Sequence, residues 1–290
     1  LIKVLIENEI EVIAVVRPGS DRNHRLSQFH QLMIIEADIS NLDMITKEKT
    51  GKVDWFFHLA WEGTSGSNRD NADLQIKNIQ YTLDAVRLAE KIGCRRFIGA
   101  GSQAECGRTV QKISSNSIAN PDTSYGAAKL CAGQLSRLVC GKIGIEHIWT
   151  RILSIYGPYD AENTMITSSI RNMLKGIDTS YSKAEQLWDY LYSEDAAKAI
   201  FLCAKKGISN KIYPIASGKA IPLKEYIIKM YEEAGGRGRL GIGDIPYSNI
   251  QIMYLCGDIR ELSADTGFRP ETDFKTGIKK TIMWCKQMEF

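Results

Sequence analysis

The sequence has no Cys-x-x-Cys pair, no apolar run of membrane-spanning length, no block of basic residues and only four histidines. Each absence removes a class of function. The seven cysteines, at 94, 106, 131, 140, 203, 256 and 285, are an odd set without ligand spacing. That pattern fits buried or incidental thiols in a reducing compartment, and a cytoplasmic location is expected. The histidines at 24, 30, 58 and 147 stand apart from the cysteines, so no metal site is expected. The 37 Lys and Arg residues against 34 Asp and Glu leave a formal charge of +3 that is scattered along the chain. Nucleic acid therefore finds no electrostatic footprint. No signal peptide or spanning segment is visible, so no membrane partner is expected either.

What is present is a chain of 290 residues, 44% hydrophobic and 24% charged, an ordinary globular composition long enough for one large or two modest domains. Buried runs recur along its first half: EVIAVV, MIIEADIS at 33–40, VDWFFHLA at 53–60, CRRFIGAG and IEHIWTRI. The run at 53–60 is continuously apolar, as a strand covered on both faces requires. Helical stretches separate these runs; the clearest spans Ala72 to Ile92, with Ile79, Leu83 and Val86 at helical spacing. The pattern predicts an α/β fold with a Rossmann-type, doubly wound parallel sheet. The chain opens on a helical face (Leu1, Val4, Leu5) and then a strand, the second half of a βαβ unit. The first strand and the glycine-rich turn of that unit are expected upstream of Leu1. From about Asp160 the elements become shorter, which predicts a smaller lobe over 161–290 interleaved with a returning strand of the main sheet. GGRGRLGIGD in that lobe lacks the spacing and the closing Lys-Ser/Thr of a phosphate loop and reads as a surface loop.

The chemistry concentrates between Phe97 and Lys129. Ser102 follows an apolar strand, where ligands bind in an open α/β sheet. Tyr125 and Lys129 are four apart on a helix, hence on one face. An ammonium there favours the phenolate, and a nearby hydroxyl can hold the oxygen of a carbonyl or alcohol. These are the parts of a proton shuttle that works beside a hydride-carrying cofactor. On spacing alone, Tyr-x-x-x-Lys is more often a solvated helix face.

The surroundings decide the matter. HLAWEG, the asparagine of IKNIQYTLDAV, GSQAECG, SYGAAK, TRILSIYGPYD, EQLWDYLYSEDAAKAI and GFRPETDFKTGI together resemble the extended short-chain dehydrogenase/reductase family, the NAD(P)-dependent epimerases, dehydratases and reductases of nucleotide sugars. The resemblance spans essentially the whole chain and implies an enzyme. It assigns Tyr125 as general acid/base, Lys129 as its partner and ribose ligand, and Ser102 as the donor to the reacting oxygen. Residues 1–160 become the NAD(P)-binding domain and 161–290 mainly the substrate-binding lobe. Asp38 and Ile39 fall beside the adenine, Leu59 and Ala60 beside the pyrophosphate and ribose, and Leu153 and Ile155 beside the nicotinamide. Asn78 braces the active-site backbone. The family also pairs the helices of Ile79 and Tyr125 across a dimer axis, so a homodimer is implied.

Cofactor and reaction follow from departures within the resemblance. At the end of the second strand stands Val16, followed by Arg17, with Ser20 and Arg22 close by, where an NAD enzyme usually carries an acid. The expectation is NADP(H), with NAD(H) the alternative. Gln103 and Ala104 occupy the places of the Asp-Glu pair a dehydratase uses, and Ala104 cannot move a proton. Ser154 replaces a common asparagine and Trp188 an arginine that often binds diphosphate, so Gln103, Ser154 and Trp188 are the substrate-side candidates. EQLWDYLY resembles a subgroup of 4-keto-sugar reductases. The expected activity is NADPH-dependent reduction of the 4-keto group of a nucleotide-diphosphate sugar; the alternatives are a 4-epimerase with bound NAD+ and a non-catalytic NADP-binding remnant.

Overall fold

A computed structural model describes residues 1–288. Helix α1 (Ile2–Glu7) leads into β1 (Ile13–Val16), which pairs in parallel with β2 (Met33–Glu36), Val16 standing opposite Glu36. After the short helix α2 (Lys47–Thr50) comes β3 (Trp55–His58) and then the long helix α3 (Ala72–Lys91). Asn71 starts α3 by accepting the Leu74 N–H at 3.1 Å. Strand β4 (Arg96–Ser102) is buried along nearly its whole length and lies between β3 and β5 (Glu146–Ile152), parallel to both. Between them runs α4 (Ser124–Ile143), opened by the Thr123 hydroxyl on the Gly126 N–H at 3.1 Å and closed by Gly144 in the left-handed region.

The chain leaves this sheet through β6 (Ser154–Tyr156) and α5 (Met165–Lys175), builds β7 (Thr179–Tyr181), β8 (Leu187–Trp188) and β9 (Tyr190–Tyr192), and then returns. Helix α6 (Ser193–Lys206) carries it back to β10 (Ile212–Ile215), which pairs in parallel with β5. The result is two parallel blocks, β2-β1 and β3-β4-β5-β10. Helices α3 and α4 pack on one face of the second block and α6 on the other, the doubly wound arrangement the apolar runs predict. Beyond it lie β11 (Ile221–Pro222), α7 (Leu223–Glu233), β12 (Leu240–Ile242), β13 (Tyr254–Leu255), α8 (Arg260–Thr266) and α9 (Phe274–Met288).

This second region has its own core, in which Tyr156, Ile170, Met173, Ile227, Met230, Ile278 and Ile282 meet. Asp189, between β8 and β9, is fully buried; its carboxylate accepts the N–H groups of Ser217, Gly218 and Gly257. Those bonds fix the register of Trp188 beside it.

Two segments differ from their sequence reading. The polar stretch at 108–120 is pinned by Ile113, which is buried and exchanges backbone hydrogen bonds with Cys256 (2.8 Å) and Asp258 (2.7 Å). GGRGRLGIGD is not wholly loop: its Leu240–Ile242 segment is β12, paired in parallel with β7. In both, backbone pairing outweighs local polarity or glycine content.

Packing is tight under the carboxyl end of β4. The Trp149 indole fills the space between β4 and α4, and a Cβ on Gly101 or Gly133 would stand inside it. Gly133→Ala tests that fit. Overpacking of about 1–3 kcal/mol should outweigh the gain of up to about 1 kcal/mol in helix propensity. The expected net loss is about 1–2 kcal/mol in urea denaturation; a variant at least as stable as the parent would show that the indole is not wedged there.

Candidate active site

Ser102 ends β4, and a three-residue step places Glu105 back against it. The Glu105 carboxylate accepts the Ser102 N–H (2.7 Å), the Trp149 indole N–H (2.9 Å) and the Arg151 Nε–H (3.1 Å). Arg151 spends a further N–H on the Ser114 carbonyl at 3.0 Å. Glu105 and Arg151 are 1% and 2% exposed, so this is a buried, hydrogen-bonded ion pair next to the serine. The Ser102 hydroxyl accepts the Ala104 N–H at 3.2 Å, which leaves its own O–H free to donate. Its nearness to the Tyr125 phenol pulls that pKa down, an influence that favours the phenolate.

Tyr125 and Lys129 project from the first turns of α4 and are both buried. Their ring-to-ammonium separation is 5.8 Å. The Lys129 ammonium donates to the Ala100 carbonyl at 2.7 Å and lies 3.7 Å from the centre of the Trp61 ring. Burial is the largest influence on both groups. It raises the Tyr125 pKa, which Ser102 and the Arg69 charge pull back and Glu105 pushes up again. It lowers that of Lys129 to about 7, against a smaller opposing pull from Glu105. Spacing alone suggested an ammonium serving the phenol. In the folded chain that ammonium is shared among a carbonyl, an indole and the phenol.

The loop after β3 closes the other side. Trp61 meets the Tyr125 ring edge-on at 6.0 Å and donates its indole N–H to Gln75 at 2.9 Å. Asn78 braces this loop from α3: it accepts the Glu62 N–H at 2.8 Å and donates to the Glu62 carbonyl at 3.0 Å. His58, beneath it, bonds Thr82 at 3.2 Å, and burial lowers its pKa to about 3, so it is a neutral structural group.

The other candidates gather at the same ends of the parallel strands. Val16 ends β1, Asp38 and Ile39 follow β2, Leu59 and Ala60 follow β3, and Leu153 follows β5, bonded through its N–H to Ile215. Ile155 lies in β6 beside Ser154, and the Ser154 hydroxyl accepts the Trp188 indole N–H at 2.9 Å. Gln103 is half-buried next to Ser102. Arg17 is exposed, and the Ser20 hydroxyl accepts the Arg22 N–H at 3.4 Å. Asp38 holds Ser40 through both its N–H and its hydroxyl, which, with the nearby Arg17 charge, keeps its carboxyl below the usual range. Among the described residues no cluster able to hold a metal is found, and no helix is long and apolar enough to cross a membrane.

The sequence reading missed Trp61, Arg69, Glu105 and Arg151. Only Glu105 had a legible signal, the Ser-x-x-Glu spacing of a capping box, which it forms with Ser102.

The residues fit a dinucleotide at these strand ends. Lys129 has three N–H donors and gives one to Ala100, which leaves donors for ribose hydroxyls, and the Ser102 O–H is uncommitted to backbone.

Two predictions follow from the electrostatics. Glu105→Ala should cost about 3–5 kcal/mol by stranding Arg151, whereas Glu105→Leu/Arg151→Met should cost clearly less; equal losses in denaturant titrations would refute the stranded-charge account. For Lys129, the folded-state pKa lies below the ordinary 10.5. Its burial therefore opposes folding fully below about pH 7, and the penalty fades as pH rises towards 10.5. Lys129→Met should accordingly stabilise the fold by about 1–3 kcal/mol at pH 6 and by little at pH 10, despite the freed Ala100 carbonyl. A pH-independent difference between the two unfolding curves would contradict this.

Comparison with known proteins places this geometry. Residues 1–216 match the NAD dependent epimerase/dehydratase family. A putative UDP-glucose 4-epimerase of Methanocaldococcus jannaschii is 25% identical over 295 residues, covering 99% of this chain and 94% of that protein. Several dTDP-glucose 4,6-dehydratases also match, over about half of their own length. Among solved structures, UDP-glucose 4-epimerase of Thermotoga maritima, determined with UDP-glucose, superposes with a TM-score of 0.88 at 21% identity, covering 100% of this chain and 95% of that one. UDP-glucuronic acid 4-epimerase of Bacillus cereus, determined with NAD, gives 0.85 at 17% identity, covering 99% and 94%.

The expectation of NADP(H) is corrected here, because solved structures of this fold that contain a cofactor hold mostly NAD. The physical reason lies at Arg17. The Asp38 carboxylate stands within its field, so the positive charge that Val16 and Arg17 suggested for a 2′-phosphate is partly offset. From its strand order, its site and these matches, the chain belongs to the NAD dependent epimerase/dehydratase family, enzymes that act on nucleotide sugars with NAD(P).

Proposed function

We propose that the protein is a nucleotide-sugar 4-epimerase that works with retained NAD+. The observation that carries this reading is the meeting of Ser102, Tyr125 and Lys129 at the carboxyl ends of parallel strands, with Ala104 beside them. Alanine at that place supplies no proton for an elimination, which disfavours a dehydratase. Relatives that match over nearly the whole chain include several 4-epimerases, and they support the epimerase over the reductase suggested by EQLWDYLY.

Bound NAD+ supplies the hydride acceptor, and in its reduced form the donor, at C4 of the sugar. Tyr125 would take the proton of the 4-hydroxyl as hydride leaves C4, and give it back to the same oxygen when hydride returns to the opposite face of C4. The Ser102 hydroxyl donates to the same oxygen and steadies its charge. Lys129 orients the ribose and, when protonated, favours the phenolate. Asp38, Ile39, Leu59, Ala60, Leu153 and Ile155 line the cofactor, with Val16, Arg17, Ser20 and Arg22 at the adenosine end and Asn78 bracing the loop. Gln103, Ser154 and Trp188 face the sugar and diphosphate. A homodimer forms through α3 and α4, whose outer faces keep Ile76, Leu135 and Leu138 exposed, and light scattering checks it.

The test uses the full-length protein, NAD+ and a panel of UDP-, dTDP-, CDP- and GDP-linked hexoses, with the 4-epimer detected by NMR. Epimer should form without net change in added NADH. Tyr125→Phe should keep the fold and lose about 10²–10⁴-fold in turnover, and Ser102→Ala about 10- to 1000-fold. Stoichiometric consumption of reduced cofactor with a 4-keto sugar, and no epimer, would hand the function to a reductase.

A further inference from the structure

The loop after β3 brings a second cation to the Tyr125 ring, closer than Lys129. Arg69 ends the short turn Gly66–Arg69, and its guanidinium carbon lies 4.3 Å from the centre of the Tyr125 ring. The loop is held there at two points. Arg69 donates to the Thr64 carbonyl at 3.2 Å, and the Ser124 hydroxyl donates to the Asp70 carbonyl at 3.2 Å, tying the loop to the first turn of α4. Among the described residues no carboxylate pairs with Arg69, so its charge is uncompensated where it meets the ring.

We propose that Arg69 is a positioning residue for proton transfer at Tyr125: its guanidinium covers the phenol ring and supplies the fixed positive charge that favours the phenolate. The inference rests on Tyr125 as the acid/base of the proposed function and adds a residue to it.

The groups facing the phenol are few. Lys129 comes from its own helix, Ser102 and Glu105 from the end of β4 and the turn after it, and Trp61 and Arg69 from the loop after β3. Ser102 and Trp61 are neutral, and Glu105 carries negative charge that opposes the phenolate. Lys129 is farther from the ring, bonded to Ala100 and close to losing its proton at neutral pH. Arg69 brings a guanidinium, planar and more weakly hydrated than an ammonium, directly over the ring. A cation over an aromatic face is attracted to the neutral ring, and more strongly when the phenol ionises and its charge spreads into the ring. The contact therefore strengthens along the reaction coordinate in the direction that forms the base.

The test reads Tyr125 directly. The full-length protein is prepared with 13Cζ-labelled tyrosine, and the Tyr125 resonance is identified by its loss in Tyr125→Phe. It is then titrated in the parent, Arg69→Gln and Arg69→Lys. Arg69→Gln should raise the midpoint by about one pH unit, and Arg69→Lys, which keeps the charge, by less than half as much. In the epimerase assay the acid limb of kcat/KM should move up by the same amount in Arg69→Gln, with the rate recovered at high pH. An unmoved midpoint, or an equal shift in both variants, overturns the inference. The titration needs no turnover, so a failure to find 4-epimerisation leaves it readable. Measured 4-epimerisation with an unmoved midpoint discards Arg69 and keeps the function.

Discussion

A buried carboxylate organises this active site. Glu105 has almost no contact with water, and its oxygens are filled by the Ser102 backbone, the Trp149 indole and the Arg151 guanidinium. A charge so placed is tolerated only when it is paired and hydrogen-bonded, and each partner is thereby fixed. Arg151 aligns the end of β5, Trp149 fills the gap that glycines leave between β4 and α4, and Ser102 is held at the strand end with its hydroxyl free. The geometry of the candidate catalytic serine is thus a consequence of satisfying one carboxylate in the core.

The same burial sets a tension at Tyr125 and Lys129. Removing both from water favours neutral forms, a protonated phenol and an unprotonated amine, the reverse of what a phenolate–ammonium pair needs. The site answers with groups that cannot lose their charge or direction: the Ser102 O–H, the Arg69 guanidinium and the Ala100 carbonyl. Ribose hydroxyls placed at these strand ends would change that balance further, by offering Lys129 hydrogen-bond partners that the aromatic face of Trp61 does not. The stability cost of Lys129 and its use are therefore two readings of one desolvation.

Much of this was legible in the sequence. The parallel sheet was visible as apolar runs because strands covered on both faces tolerate few polar residues. Helical spacing and a strand end put Ser102, Tyr125 and Lys129 within reach of one another, but only the resemblance of the surrounding motifs singled them out from a solvated helix face. The loop WEGTSGSNRD was not legible: it has no period, and Trp61 and Arg69 acquire meaning only when the loop folds over α4. Ile113 and Leu240–Ile242 were hidden for a related reason, since their partners, Cys256, Asp258 and β7, lie far along the chain. Glu105 was within reach through its capping-box spacing, but nothing local announced that Arg151, 46 residues on, would be its partner.

The cofactor expectation shows the same limit in electrostatic form. Arg17 after Val16 reads as a phosphate ligand when the strand end is taken alone. In the folded chain Asp38 shares its field from the end of the neighbouring strand, so the local balance is closer to neutral. Trp188 is the complementary case: where the resemblance led to an arginine, the chain carries an indole that donates to Ser154, a polar contact without charge. What a cation does in such a cleft depends on which other groups share its field, as Arg17 beside a carboxylate and Arg69 without one illustrate. The charge that matters to the chemistry then sits over the phenol, supplied by a loop whose sequence looks like filler.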